Sequence, residues 1–593
     1  MARHKTYDMN GQIFFNLTPF KGFTWHTKMA GRLSDDKLHD WSGEKVPLYN
    51  YHSKEFSRNM DLGGGFIPGL QVEDDQNLYL NFYTYMEYVF QLKEDHNFKL
   101  MLGYNQEKNE RNVIWAKRRD YQFVLPELDA GSNENMENSG YKEEWAIRSG
   151  FFRLNYDYKG KYMVEVNTRL DGTSRIASES RWGWFPSFSL GYRLTEEDFI
   201  KNLNWNWLSN LKIRGSWGQL GNQNIGLYPY QAIVDLTDSY PFDNATLTQG
   251  VAQKKYINRD LKWETTTITD VGLEISLFNR LNLTVDWYKK QTTDILRTAQ
   301  LSNFVGLEAP YVNDGEMQNT GIEIAVNWND YVKSGAMEGL QYNLGFYIDR
   351  YRNELTHFGA DEIKSFSILR EGIPYNSYYM LEAIGIFADQ AEIDAAPKQF
   401  SDNTRPGDIR YRDVDNNGII DYNDRVVMGG RFPKFEYSFN AGLSWKGFDL
   451  SLMFQGVEGK YTYVGASAGV VPFASYCGIP KDYLDGMWTE DNPENAINPR
   501  LYYDMGGTRN TRASSYYLRN ASYLRLKNLM LGYTFPSEWT KKFAVNRLKV
   551  FFSGDNLLTF TPYKGLDPEN DRDGSFLAYP QNRILSLGVN VEF

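Results

Sequence analysis

The stretch Leu78-Tyr-Leu-Asn-Phe82-Tyr-Thr-Tyr-Met86-Glu-Tyr88-Val-Phe90 repeats with a period of two. Leu78, Leu80, Phe82, Met86, Tyr88 and Phe90 fall on one face and Asn77, Asn81 and Glu87 on the other, because successive side chains of a strand point to opposite sides. An ordinary soluble strand spans only about five or six residues, so this one is long. The alternation returns at Val271/Leu273/Ile275/Leu277, Leu281/Leu283/Val285/Trp287, Phe435/Tyr437/Phe439/Leu443/Trp445 and Phe448/Leu450/Leu452/Phe454, each set against polar neighbours.

Composition bounds what such strands can build. The 593 residues are 41% hydrophobic and 16% aromatic, enough to exclude disorder for the whole chain. A formal charge of −11 offers no electrostatic footprint for nucleic acid. Mean hydropathy is −0.56, and the absence of any run of about 18 apolar residues excludes a transmembrane helix. A transmembrane barrel is not excluded, since it alternates lipid-facing and lumen-facing residues and reads as hydrophilic on average. The opening Met1-Ala-Arg-His-Lys-Thr-Tyr-Asp-Met-Asn10 has no apolar segment or cleavage site of a signal peptide.

The connections sort by length. Tight links are expected near Thr18–Gly22, Lys93–Asp95, Asp157–Gly160, Phe278–Arg280, Lys446–Gly447 and Pro536–Val545, with moderately short ones near Glu196–Ser209 and Asn329–Gly339. Between them lie long loops near Arg32–Asp74, Glu107–Gly140, Asp171–Trp182, Leu220–Lys262, Arg297–Gln318, Leu355–Pro433, Tyr461–Tyr517 and Leu557–Asn582. Short turns on one rim and long loops on the other describe an outer-membrane barrel, and soluble sandwiches or propellers have no reason to sort loops this way. The rhythm gives about 17 strands, from Gly11–Leu17 to Arg583–Phe593. Because such barrels usually close an even number, at least one further strand is expected ahead of Met1. The final strand, Ile584 to Phe593, ends on an aromatic, as does the sorting signal read by outer-membrane assembly machinery.

Over essentially the whole chain the residues resemble the SusC/RagA-type TonB-dependent transporters of Bacteroidetes outer membranes. The segments that carry the resemblance, in order, are Arg169-Leu-Asp-Gly-Thr-Ser-Arg175, Arg181-Trp-Gly-Trp-Phe-Pro-Ser187, Leu190-Gly-Tyr-Arg193, Arg214-Gly-Ser-Trp-Gly218 and Leu220-Gly-Asn-Gln223. Leu261-Lys-Trp-Glu-Thr265, Asp286-Trp-Tyr-Lys-Lys290, Asn319-Thr-Gly-Ile-Glu323, Gly407-Asp-Ile-Arg-Tyr411, Phe454-Gln-Gly456, Tyr523-Leu-Arg-Leu-Lys-Asn528 and Gly554-Asp-Asn-Leu-Leu558 continue the series. The resemblance implies an all-β, 22-stranded antiparallel transmembrane barrel with a plug, energised by the TonB complex. It also implies a SusD-like surface lipoprotein as a lid, oligosaccharide or peptide as cargo, and no enzymatic activity. Residues 1–593 then read as the C-terminal part of such a barrel, with the plug, the TonB-contacting segment and about five strands expected upstream of this chain. A passive porin is the alternative function, and a soluble glycan-binding or hydrolytic β-protein the third.

One loop carries local chemistry. Within a calcium-loop-like segment, 408–428, Asp413-Val-Asp415-Asn-Asn417-Gly418-Ile419-Ile-Asp421-Tyr-Asn-Asp424 matches the EF-hand calcium loop, with Asp for Glu at its last position. Asp413, Asp415, Asn417, the Ile419 carbonyl, Asp421 and Asp424 are the expected ligands, Gly418 the sharp turn, and Ile420 an inward-packing residue. The flanks do not read as helices, so the loop is similar to the Asp-terminated loops of dockerin modules. The competing reading is an Asp/Asn/Gly turn that solvates itself.

Other constellations carry no chemistry. The histidines His4, His26, His39, His52, His96 and His357 show no metal spacing, Gly63-Gly-Gly65 lacks the Lys-Ser/Thr of a phosphate loop, and Cys477 has no basic neighbour. Trp287, Tyr288 and Trp328 are expected in interface girdles. Tyr228, Tyr230, Tyr502, Tyr503, Tyr516 and Tyr517 are expected to pack among loops, with ligand stacking the alternative.

Overall fold

The computed structural model describes residues 2–42, 48–50, 54–57, 69–123, 125–134, 136–235, 239–241, 247–400, 403–465, 481–502, 510–570 and 579–593. Gly63–Gly65, His52, Cys477 and Tyr503 lie outside them. The chain divides into two compact units: Met1–Leu190, Gly218–Thr265 and Asp294–Asn313 form the first, and Gly191–Trp217, Thr266–Thr293 and Asp314–Phe593 the second.

In the first unit the strands Ala2–Phe20, Phe23–Ser42, Gly69–Leu92, His96–Arg119, Met136–Tyr158 and Tyr162–Thr173 pair in chain order, each antiparallel to the next. In the second, Leu281–Thr293, Glu316–Tyr331, Gln341–His357, Phe435–Trp445, Phe448–Glu458, Tyr523–Thr534, Arg547–Phe560 and Ile584–Glu592 do the same. With Trp182–Arg193, Leu208–Asn222 and Glu264–Leu277 they make one sheet of seventeen strands, the number the loop rhythm gives.

The alternation read from Leu78–Phe90 decides the faces. Leu78, Leu80, Phe82, Met86 and Tyr88 stand exposed on one side, while Tyr79, Asn81 and Glu107 hydrogen-bond to one another on the other. Side chains cannot share a face with their chain neighbours, which corrects one expectation. Trp287 lies exposed on the apolar side, opposite Ile322. Tyr288 is therefore on the polar side, its ring over Gly321, and is no girdle residue.

The first hairpins run further than expected: Arg32–Asp74 and Glu107–Gly140 are not wholly loop, because strands reach Ser42 and Arg119 and resume at Gly69 and Met136. Their polar ends are held by cross-strand ion pairs. Arg32 meets Asp8 through two hydrogen bonds of 2.9 Å, Arg111 donates to Asp75 at 2.7 Å, and Arg119 lies 3.0 Å from Glu137.

On the short rim, Lys93/Glu94, Lys159/Gly160, Phe278/Asn279 and Lys446/Gly447 all have positive φ at two consecutive residues, the hairpin geometry whose twist matches that of the strands. Gly447 is needed for space as well, since a Cβ there would lie 2.6 Å from the Thr534 carbonyl oxygen. A second steric device recurs along the strands, where an aromatic ring lies over a glycine directly opposite it. The pairs are Phe151 on Gly103, Tyr288 on Gly321, Tyr437 on Gly456 and Phe551 on Gly588.

The fully buried apolar residues collect mainly in the long loops. In the first unit Ile176, Phe185, Ile225, Leu261 and Trp263 form one cluster. In the second, Tyr378, Met380, Tyr463, Val464, Tyr483 and Tyr517 form another, beside Leu381, Ile409, Tyr411 and Ile420.

Candidate functional site: an acidic loop on the long-loop rim

The segment between strands Gln341–His357 and Phe435–Trp445 is structured by short pairings. Ile419–Ile420 runs parallel to Lys398–Gln399, with the Lys398 and Phe400 N–H groups donating to the Gly418 and Ile420 carbonyls. By alternation the Ile419 carbonyl points away from Lys398–Gln399. Ile420 is fully buried against Leu381, Ile409 and Tyr411, as its place in the loop predicts.

Within the loop the hydrogen bonds shape a cup. The Gly418 N–H donates to Asp413 Oδ2 at 2.9 Å, at a glycine with φ of 83°. The Asn417 N–H donates to Asp415 Oδ1 at 3.1 Å, the Ile419 N–H to Asn417 Oδ1 at 2.8 Å, and the Asn423 N–H to Asp421 Oδ1 at 2.6 Å. Asp424 is fully buried, and its two oxygens accept from the Val414 and Asp421 N–H groups, each at 2.7 Å. Ligand oxygens of Asp413, Asp415 and Asp424 lie within 4.8 Å of one another, the one such group of His, Cys, Asp or Glu among the described residues.

Asp413 Oδ1 tests whether these residues fit a cation. It is buried and has no hydrogen-bond partner, a costly state for a carboxylate oxygen unless something positive meets it. Hard oxygen donors, a buried orphan oxygen and a glycine at the sharp turn suit a calcium ion. The hydrogen bonds inside the cup consume N–H groups and leave carboxylate lone pairs available.

The aromatics of the long loops are structural. Tyr517 is 0% exposed and its hydroxyl donates to the Asn510 carbonyl, while Tyr516 donates to Asn498 Oδ1 at 2.9 Å. Burial pushes Tyr516 up to about 12, and raises Tyr411, Tyr483 and Tyr517 too. These hydroxyls stay protonated at neutral pH. Tyr502 donates to buried Asp408 at 2.6 Å, and Tyr230 to the Ser174 carbonyl at 3.3 Å. Arg512 stacks 3.6 Å over Phe400, and Arg425 4.4 Å over Tyr422 of the acidic loop.

Sequence reasoning gave no role to four charged residues. Arg525, buried in strand Tyr523–Thr534, donates to Asp567 Oδ1 at 2.7 Å and to Glu569 Oε2 at 2.6 Å, and Lys527 reaches Glu569 Oε1 at 2.6 Å. Burial works to raise Asp567. The hydrogen bonds from Arg525 and from the Gln581 and Glu569 N–H groups outweigh it and hold the carboxyl below its ordinary value. Only the alternation placing Arg525 and Lys527 on one side of their strand hinted at this clamp.

Residues 5–557 match the family described as TonB dependent receptor-like, beta-barrel. The chain is 29% identical over 535 residues to TonB-dependent receptor P3 of Formosa agariphila, covering 84% of this chain and 51% of that protein. It is 26% identical over 593 residues to TonB-dependent receptor SusC of Bacteroides thetaiotaomicron, covering 95% and 57%. The chain thus spans about half the length of the curated relatives it matches. The structure of the RagAB peptide transporter is similar with a TM-score of 0.81 and 24% identity, over 100% of this chain and 62% of that one, a likeness that shows the fold. The soluble β-protein reading falls with these matches. Seventeen antiparallel strands with one apolar face and lengths sorted by rim, matched across residues 5–557, make this chain a member of the TonB-dependent receptor-like β-barrel family of the bacterial outer membrane.

Proposed function

We propose that this chain is the barrel portion of an energised outer-membrane importer of the SusC/RagA type, acting with a SusD-like surface lipoprotein on oligosaccharide in preference to peptide. Family membership across residues 5–557 carries the reading. The long-loop rim supports it: in the second unit, loops build a packed cluster around Tyr378, Tyr463 and Tyr517, more surface than a simple pore requires. Such a platform suits a lid protein that encloses cargo over the barrel mouth. Purification of the full-length parent from native membranes tests the partner, and recovery without any lipoprotein would argue for a lone receptor or a passive porin. Uptake that persists without TonB would favour the porin. A growth defect of the deletion strain confined to peptides would overturn the glycan preference.

The acidic loop is read as a structural calcium site held by Asp413, Asp415, Asn417, the Ile419 carbonyl, Asp421 and Asp424, directly or through water. The orphan Asp413 Oδ1 supports it. A bound ion would neutralise clustered carboxylates and offset part of the entropy lost in ordering a long loop. Metal analysis of the purified parent should find one calcium fewer in the Asp413→Ala/Asp415→Ala variant. Equal calcium in both proteins would refute the site.

A further inference from the structure

The acidic loop holds a second chemistry that cation binding does not use. The sequence has two Asn-Gly pairs, Asn10-Gly11 and Asn417-Gly418. In such a pair the glycine nitrogen can close a five-membered ring on the asparagine amide carbon, because no Cβ hinders its approach. The fold around the pair decides whether it does. Asn10-Gly11 sits inside the strand Ala2–Phe20, opposite Arg32 and Gly31, where the extended, paired backbone resists ring closure.

Asn417-Gly418 lies instead in an exposed turn, with Asn416 at φ 58° and Gly418 at φ 83°. Each atom that must change there is already met by a group suited to the change. The nucleophile, the Gly418 nitrogen, donates its hydrogen to Asp413 Oδ2 at 2.9 Å, a carboxylate able to take that proton. The oxygen that must carry negative charge, Asn417 Oδ1, accepts from the Ile419 N–H at 2.8 Å, a backbone oxyanion donor. The leaving nitrogen, Asn417 Nδ2, donates to Asp415 Oδ2 at 3.0 Å, so the amide plane is held from both sides. The pairing of Ile419–Ile420 with Lys398–Gln399 and the burial of Ile420 fix the oxyanion donor in place.

We propose that Asn417 is a self-modification site, at which the loop deamidates its own asparagine. The Gly418 nitrogen bonds to Asn417 Cγ while its proton passes to Asp413 and the carbonyl electron pair moves onto Oδ1. As that pair returns, the Cγ–Nδ2 bond breaks and Nδ2 leaves as ammonia, carrying the proton that Asp413 took. Solvent water then opens the succinimide at one carbonyl or the other, giving aspartate or isoaspartate. The whole sequence consumes a water and releases an ammonia. Aspartate adds a negative charge to the long-loop rim, and isoaspartate also lengthens the main chain just ahead of the Ile419–Ile420 pairing. A newly made receptor and an old one would therefore differ at this rim.

Incubation of the full-length parent in detergent with a calcium chelator, followed by peptide mass spectrometry and enzymatic methyl labelling of isoaspartate, tests the site. Chelation keeps the carboxylates free. Equal calcium in the two proteins compared above would thus refute the calcium reading and leave these rates as they were. Asn417 should convert about tenfold faster in the folded parent than in the same protein unfolded in urea, and faster than Asn10 in the folded parent. Asp413→Asn should slow the conversion about tenfold, whereas a substitution that merely loosened the loop would not slow it. Should that variant fail to assemble, the folded and unfolded rates of the wild type decide alone. Conversion of Asn417 no faster folded than unfolded, no faster than that of Asn10, or undiminished in Asp413→Asn overturns the proposal.

Discussion

The strand wall and the loop platform of the second unit solve opposite solvation problems with the same residue types. Along the wall, Trp287, Ile322 and Phe346 stand exposed on the apolar face, where hydrocarbon is their solvent and burial in protein is unnecessary. In the loops Tyr378, Tyr463, Tyr483 and Tyr517 turn inward and bury one another, because that region faces water and must make a core of its own. An aromatic residue here is informative only with its place: beside the membrane it is exposed by design, and above it exposure would be a cost.

The largest effect should come from emptying the loop core. Replacing a buried aromatic by alanine costs about 3–5 kcal/mol, so Tyr517→Ala should open the loops to trypsin while the barrel keeps its folded mobility in unheated gels. Loss of the barrel band as well would show that the two regions are one cooperative unit. The wall is attacked next. Leu102 is 61% exposed on the apolar face between Met86 and Phe152, and a lysine on a barrel's lipid face costs about 2–4 kcal/mol at mid-bilayer, falling toward the interfaces. Leu102→Lys should lower the yield of assembled barrel in the membrane without altering loop proteolysis, and normal assembly would contradict the assignment of that face.

The smallest effect concerns the clamp between wall and loop. Asp567 titrates below its ordinary value in the folded protein. Its contribution is therefore present above the unfolded-state value, about 3.9, and is lost as pH falls through the lower folded value. Acidification below about pH 3.9 should loosen the loop beyond Phe560, read as faster amide exchange at Glu569 and Asn570 relative to the unstructured rate. An Asp567→Asn variant should show that loosening already at neutral pH and no further acid-induced change from this site. Acid-insensitive exchange in the wild type would remove the clamp from the account.

Much of this architecture was legible because it is written in neighbouring residues. The alternation at Leu78–Phe90 fixes both faces locally, the rim turns announce themselves at Lys446-Gly447 and Phe278–Arg280, and the acidic loop is contiguous from Asp413 to Asp424. What escaped is made of partners far apart in the chain. The extension of the first hairpins depends on pairs such as Arg111 with Asp75, and the loop core joins Tyr378 to Tyr463 and Tyr517. Tyr288 was misplaced for a different reason. Its identity suggested a girdle, and the alternation that already placed Trp287 outward was the better guide.

The rings resting on opposite glycines have a consequence for how such a sequence can change over generations. At Phe151 and Gly103, or Tyr288 and Gly321, the first mutation of the glycine to any larger residue collides with the ring, while loss of the ring alone leaves a bare patch of backbone. Each couple is therefore inherited as a single character, and drift across it should proceed by paired replacements: a smaller side chain on one strand accompanied by a larger one on its neighbour.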